Sequence, residues 1–270
     1  MVLKTVQIAP IRTLMVALKD ILLETNIVFT KSGMKIVNMD KSHTVLVHLS
    51  LDADKFEMYE CLEDKIIIGV NMTHLFKLIT TIDNDDTLTI YIDADDYDGG
   101  IVRYLGLKFE NTIIHQEKTQ KLRLIEPEHE ELTIPDVHFS SVLNMPSADF
   151  QKIVRDLGQL SDKLEIKSIV SDQTADLIFK CTGCFASAEV RRSEYQGGME
   201  FIQKGENSSI VQGEFSLRNL GYFIKCTNLC SQIELYLAND LPLVVKYSVA
   251  SLGEIKLCLA QLPSTSEHAS

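Results

Sequence analysis

Seven basic residues recur at helical spacing on the polar faces of four amphipathic segments: Arg12, Lys19, Lys77, Lys152, Arg155, Arg218 and Lys225. Placed at about 100° per residue, the opposite faces collect Leu14, Leu18, Ile21 and Leu22; Met72, Leu75, Phe76, Leu78, Ile79 and Ile82; Phe150, Ile153, Val154 and Leu157; and Leu217, Leu220 and Ile224. The same segments hold only four acidic residues, Asp20, Glu24, Asp149 and Asp156, so seven cations less four anions leave +3. The whole chain carries 26 Lys and Arg against 38 Asp and Glu, a net charge of −12, which leaves −15 for the remainder (−12 less 3). On one helix, such cations are ordinary solvated surface. Recurring on four helices of an acidic chain, they suit contact with phosphates. No base-reading amides accompany them, and the aromatic platforms that single strands require are missing.

Other chemistry-bearing groups lead less far. Cys181-Thr182-Gly183-Cys184 is a lone C-x-x-C, and a zinc site needs two more ligands. Cys226 and Cys230 would serve only if folding brought them near, so six reduced, non-ligating thiols are expected. Asp93-Ala94-Asp95-Asp96-Tyr97-Asp98-Gly99-Gly100 has the density of a calcium loop but lacks glycine at position six, and Tyr104 stands where the closing glutamate belongs. An acidic hairpin tip is expected there. A metal-dependent nucleic-acid enzyme built on this tip is the alternative from a different functional class. The chain has no phosphate-cradling glycine loop, H-E-x-x-H or G-x-S-x-G pattern. Neither catalysis nor a cofactor is expected.

The elements that must position the cations are legible in outline. Short alternating runs such as Val45–Leu49, Lys65–Ile68, Leu88–Ile92 and Leu105–Phe109 are broken by Asn, Asp and Gly clusters, which predicts many antiparallel strands. Helical periodicity covers about Pro10–Glu24, Asn71–Ile82, Ser147–Leu160 and Ser216–Leu229, with Ser147 and Ser216 placed as N-caps. The order helix, strands, helix, strands occurs twice, which predicts an α+β chain of two topologically similar domains. Each would have antiparallel sheets with two helices on one face. The expected domains are 1–125 and 137–262, joined by the acidic, proline-bracketed linker 126–136 and followed by a disordered tail, 263–270. No apolar run is long enough to span a bilayer, and the first residues lack a signal-peptide layout, so an intracellular protein without a membrane partner is expected.

Several motifs then match one family in chain order. Gly69-Val70-Asn71-Met72-Thr73-His74-Leu75-Phe76-Lys77-Leu78, Ala17-Leu18-Lys19-Asp20 and Met39-Asp40-Lys41-Ser42-His43 are among them. So are Met145-Pro146-Ser147, Arg155-Asp156-Leu157, Leu241-Pro242-Leu243-Val244-Val245-Lys246-Tyr247 and Leu259-Ala260. Together they cover nearly the whole chain, which resembles the DNA sliding clamps of the proliferating cell nuclear antigen family.

The resemblance implies a homotrimeric ring that encircles double-stranded DNA and recruits DNA polymerase and other replication and repair enzymes. The seven cations named above would line its hole. Closure would pair an edge strand near 119–125, with Lys121, Leu122 and Leu124, with one near 184–192 of a neighbour, with Cys184, Val190 and Arg191. Partner peptides would dock against Met39, His43, Leu46, Leu132, Ile134, Pro242, Cys258 and Ala260. Cys258 replaces a tyrosine common in the family, which bears on peptide preference. Thr13, Thr80 and Gln159 stand at inner positions that are basic in the family, and the loop Ser171–Asp176 lacks the family's modifiable lysine. These departures point to a divergent lineage such as a large DNA virus. The resemblance further implies an ATP-driven clamp loader, and residence in the nucleus or at a cytoplasmic viral replication site. A subunit of a heterotrimeric checkpoint-type clamp, or a processivity factor that forms no ring, are the alternatives nearest to it.

Overall fold

The computed structural model describes residues 1–128, 132, 134–135, 137–171, 174–205 and 210–263. The tail beyond 263 and linker residues 129–131, 133 and 136 lie outside that set, as do loop residues 172 and 173. The chain forms two compact units: Met1–Ile134 with Ser248–Ile255, and Pro135–Tyr247 with Lys256–Ser270.

The first unit contains β1 (Val2–Thr5), α1 (Ile8–Ile21), β2 (Glu24–Thr30), β3 (Gly33–Met39), β4 (Val45–Asp52), β5 (Met58–Glu60), β6 (Lys65–Asn71) and α2 (Met72–Ile79). It continues with β7 (Thr87–Tyr91), β8 (Tyr97–Asp98), β9 (Ile101–Val102), β10 (Tyr104–Asn111) and β11 (Gln116–Arg123). The second contains β12 (Ser141–Pro146), α3 (Ser147–Leu157), β13 (Lys163–Val170), β14 (Ala175–Thr182), β15 (Ser187–Ser193), β16 (Glu200–Gln203) and β17 (Ile210–Ser216). It continues with α4 (Leu217–Phe223), a 3-10 turn (Ile224–Leu229), β18 (Gln232–Leu237), β19 (Leu243–Val249) and β20 (Gly253–Leu259), apart from Ser248–Ile255 at the end of β19 and the start of β20, which count with the first unit.

The repeat inferred from helix order is visible strand by strand. One sheet of the first unit runs β5-β1-β7-β10-β11, and β16-β12-β18-β19-β20 stand in the corresponding places of the repeat. Of the remaining strands, β4-β3-β2-β6 are hydrogen-bonded neighbours in that order, and β15-β14-β13-β17 form a four-stranded sheet. Both β11 and β15 are outermost strands, bonded on one side only. One feature breaks the likeness. Residues 92–103 of the first unit form a short 3-10 turn and the β8–β9 hairpin, where the second unit has only residues 238–242 between β18 and β19.

Alternating burial shows why these segments are strands. In β4, Val45, Val47, Leu49 and Leu51 are buried, and in β13 Leu164, Ile166, Ser168 and Val170 are. The helices close the cores with Leu14, Ala17 and Leu18 in the first unit and Phe150, Leu220 and Phe223 in the second. Phe150 and Phe179 meet with ring centres 6.5 Å apart.

Helix ends differ from the periodicity in ways that hydrogen bonding explains. α1 stops at Ile21, because Leu22 is extended and Glu24 already pairs with Asn71 in the β2–β6 ladder. α2 begins where the Asn71 side chain accepts the His74 N–H at 3.1 Å, and the Thr80 hydroxyl bonds back to Phe76 O at its end. Ser216 caps α4 by accepting the Asn219 N–H at 3.3 Å. Ser147 does not cap α3. It is the first helical residue, and its hydroxyl donates to Cys230 O at 2.6 Å, tying the helix to the strand entry beyond the 3-10 turn. α3 ends at Leu157, short of Leu160, and α4 tightens into the 3-10 turn after Phe223. Gly69 of the shared motif is required by packing. A Cβ there would lie 2.7 Å from Ile125 O, where the chain leaving β11 crosses β6.

Candidate nucleic-acid face, partner groove and edge strands

The seven cations fall into two groups. Lys77 on α2, Lys152 and Arg155 on α3, Arg218 on α4 and Lys225 on the 3-10 turn are exposed. Lys225 also lies over the Tyr222 ring, 5.4 Å from its centre. Arg12 and Lys19 are half-buried and serve α1 itself. The Arg12 guanidinium donates to Ile82 O at the end of the helix pair, leaving its Nε buried without a partner. Lys19 pairs with Asp20 at 2.7 Å and lies 4.9 Å from the centre of the Phe76 ring. Helical spacing identified all seven as outward-facing. It could not show that α1 and α2 pack closely enough to occupy two of them.

A groove of roughly 720 Å³ in the first unit brings together some of the expected peptide contacts. Met39, His43 and Leu132 line it with Ile21, Leu23, Asn38 and Asp40. Leu46 is half-buried on β4 but does not line the groove, and Ile134 is exposed on the linker without lining it either. In the second unit Pro242 is exposed, while Cys258 and Ala260 are half-buried. Burial pushes the Cys258 thiol up to about 11.

Residues outside the expected pocket set shape this groove. Asp40 Oδ1 accepts the N–H groups of Thr44 at 2.8 Å and Val45 at 2.7 Å, and its other oxygen takes the Ser42 hydroxyl. These bonds hold the turn that places His43 in the left-handed region, φ 54°. Partial burial raises the Asp40 pKa, but the hydrogen bonds from Ser42, Val45 and Thr44 outweigh it and hold the carboxyl below its ordinary range. Asn26 grips the start of the linker. Its amide donates to Glu128 O at 2.7 Å and accepts the Glu128 N–H at 3.0 Å. The D-x-S signature of an Asx turn was present at Asp40, whereas nothing local marks Asn26, because its partner lies 102 residues away.

The expected junction segments fall on two of the outermost strands, β11 and β15, with shifted bounds. Leu122 is buried on β11 and Leu124 follows the strand, half-buried. Val190 and Arg191 lie on β15. Cys184 is exposed in the turn before β15 and is no part of the strand, because Gly183 N–H bonds Ala186 O and closes the turn there. Arg191 donates to the buried carboxylate of Asp176 on the neighbouring strand. Lys121 is held by the acidic tip, 2.9 Å from Asp93 and 2.6 Å from Asp96. Those two carboxylates are therefore occupied by an ammonium. Among the described residues, no group of three or more His, Cys, Asp or Glu is arranged to hold a metal ion.

Comparison with known proteins accords with this geometry. The family model of the proliferating cell nuclear antigen N-terminal domain matches residues 1–131, and that of the C-terminal domain matches residues 133–262. A probable DNA polymerase sliding clamp 1 of Paramecium bursaria Chlorella virus 1 is 30% identical over 267 residues, 97% of each chain. A probable DNA polymerase sliding clamp of Acanthamoeba polyphaga mimivirus is 33% identical over 230 residues, 85% of this chain and 47% of the relative, so the match spans about half of that longer protein. With both domain models matched in order along a twice-repeated fold, the chain belongs to the proliferating cell nuclear antigen family.

Proposed function

We infer that the protein is a DNA polymerase processivity factor, a sliding clamp that surrounds duplex DNA and carries polymerase and other enzymes along it. The observation that carries this reading is the recurrence of exposed cations on the helices of two like units, each with a sheet-end strand bonded on one side only, β11 and β15. A head-to-tail ring of three copies satisfies both edges, since each β11 finds a neighbour's β15. In such a ring Lys77, Lys152, Arg155, Arg218 and Lys225 face the duplex. Arg12 and Lys19 add charge from behind while bracing α1. Contacts of this kind are weak and exchangeable, so the ring moves along DNA while its closure prevents escape.

The groove around Met39, His43 and Leu132 of the first unit is the docking place for partner peptides. The chain supplies topology and docking, and the chemistry belongs to the enzymes it recruits. An ATP-driven loader opens the ring. The two relatives named above are viral, which favours a viral replication site over the nucleus.

The test joins mass with topology. A homotrimer has a native mass of 91.2 kDa, three times 30.4 kDa. Once loaded, it stays on circular DNA and runs off linear DNA. Arg155→Glu with Lys225→Glu weakens retention and leaves the mass unchanged. A 30.4 kDa species, or equal retention on both DNA forms, overturns the clamp reading.

A further inference from the structure

We propose that Phe185 of one protomer seats in a groove beside Ile101 and Tyr104 of the next, forming the apolar anchor of the head-to-tail junction. The proposal rests on the ring reading above and adds to it a particular side chain and its receptor.

Phe185 is 72% exposed, although phenylalanine is among the residues most often buried. Its turn is rigid. Gly183 N–H bonds Ala186 O at 2.8 Å, the Ser161 hydroxyl bonds Thr182 O at 3.0 Å, and Gly183 lies against Leu160 O where no side chain fits. The ring is thus held out into solvent by a fixed backbone, the arrangement of a preorganised anchor.

The receptor is a groove of about 710 Å³ at the outgoing end of β11. Ile101, Tyr104, Arg123 and Leu124 line it, with Ile67 and Gly69 on the β6 side. Ile101 is 68% exposed and Tyr104 37%, so apolar surface lies open here too. Tyr104 and Arg123 are direct partners in the β10–β11 ladder, which sets a phenol ring and a guanidinium side by side. Both can take an aromatic ring, the guanidinium through cation–π contact. The β8–β9 hairpin supplies Ile101, and the second unit has no counterpart to it.

Strand direction brings anchor and groove together. The ladders within both units are antiparallel. If β15 joins β11 in the same sense, the start of β15 meets the end of β11. Phe185, two residues before β15, then falls at Arg123 and Leu124. The same alignment sets Arg191, near the end of β15, against Glu117 near the start of β11. Their side chains are each 60% exposed, although Arg191 also touches Asp176 and Glu117 also touches Lys108. Parallel pairing with the strand starts aligned would instead bring Arg191 beside Lys121, like charge against like. Charge and apolar surface therefore select the same register, and the occupant is a second copy of this chain.

The experiment uses the full chain. Phe185→Ala should raise the concentration at which the trimer half-dissociates by about tenfold or more, as expected for loss of an aromatic hot spot. Circular dichroism should be unchanged, because the residue is exposed. Independently, Ile101→Cys should be joined to the native, exposed Cys184 of a neighbour by a short bis-maleimide, giving covalent multimers on a denaturing gel. Ile113→Cys, at the far end of the β10–β11 hairpin, should not be joined. A monomeric parent protein removes the ring reading and this inference together. A trimeric parent whose Phe185→Ala variant dissociates at the same concentration, or whose Ile101→Cys variant gives no multimers, leaves the ring standing and overturns the anchor alone.

Discussion

Lys19 lies 4.9 Å from the centre of the Phe76 ring, so a cation of α1 is also a packing residue of α2. Lys77, one residue further along α2, is exposed. Two lysines with the same formal charge therefore do different work. Lys19→Gln should lower unfolding stability by about 0.5–1 kcal/mol, the usual worth of such a contact. It should also weaken DNA retention. Lys77→Gln should weaken retention to a similar degree and leave stability unchanged. Urea unfolding and salt-dependent retention on circular DNA separate the two.

The Asp40 turn should give the partner groove an acid limit. Its carboxyl is held below the ordinary value of 3.8, by hydrogen bonds that outweigh burial. A group with a depressed folded pKa stabilises above its unfolded value and loses that contribution as pH falls through the folded value. Peptide binding at the His43 groove should therefore survive mild acid and weaken only below about pH 4. Asp40→Ala should cost about 1–2 kcal/mol at pH 7 by freeing the Thr44 and Val45 N–H groups. Titration of peptide affinity and of unfolding between pH 7 and 3 checks both expectations.

Edge strand β15 carries its own acid-sensitive link. Asp176 is held below its ordinary pKa by the Arg191 hydrogen bond first, then by Ser193, against the opposing effect of burial. By the same sign argument, its contribution is present at neutral pH and lost only in acid. Arg191→Gln should move the loss to higher pH and weaken the trimer, since the strand next to the junction loses its brace. Analytical ultracentrifugation across pH 3–7 measures this, and an unshifted profile would show that Asp176 does not depend on Arg191.

Leu132 and Ile134 are 38% and 40% exposed on the linker. Replacing both by Ala should abolish binding of partner peptides without lowering stability, because neither residue is buried in the core. Fluorescence anisotropy with a labelled peptide gives the affinity. If only Leu132→Ala weakens binding, the docking surface is confined to the groove in which Leu132 already stands.

Much of this protein was legible in its residues one stretch at a time. Period-two runs such as Val45–Asp52 became strands, and the four apolar faces at helical spacing became helices. These patterns are local consequences of backbone geometry and one-sided burial, so sequence alone determined the element types and their double repeat, while the family resemblance rested on ordered motifs such as Gly69–Leu78. Gly69 was visible only as part of a motif. Its reason is the close passage of Ile125 O, which depends on a crossing 56 residues along the chain.

Tertiary structure alone decided what each polar group meets. Helical periodicity treats Arg12, Lys19 and Lys77 alike, yet packing of α1 on α2 gave the first two partners and left the third in solvent. Ser147 had the right type for a cap, but the approach of Cys230 O turned its hydroxyl elsewhere. The acidic tip gained a lysine from β11, and Asn26 gained a backbone partner 102 residues away. A side chain's direction follows from the period of its own segment. Its partner comes from another segment, and only the folded chain fixes the distance between the two.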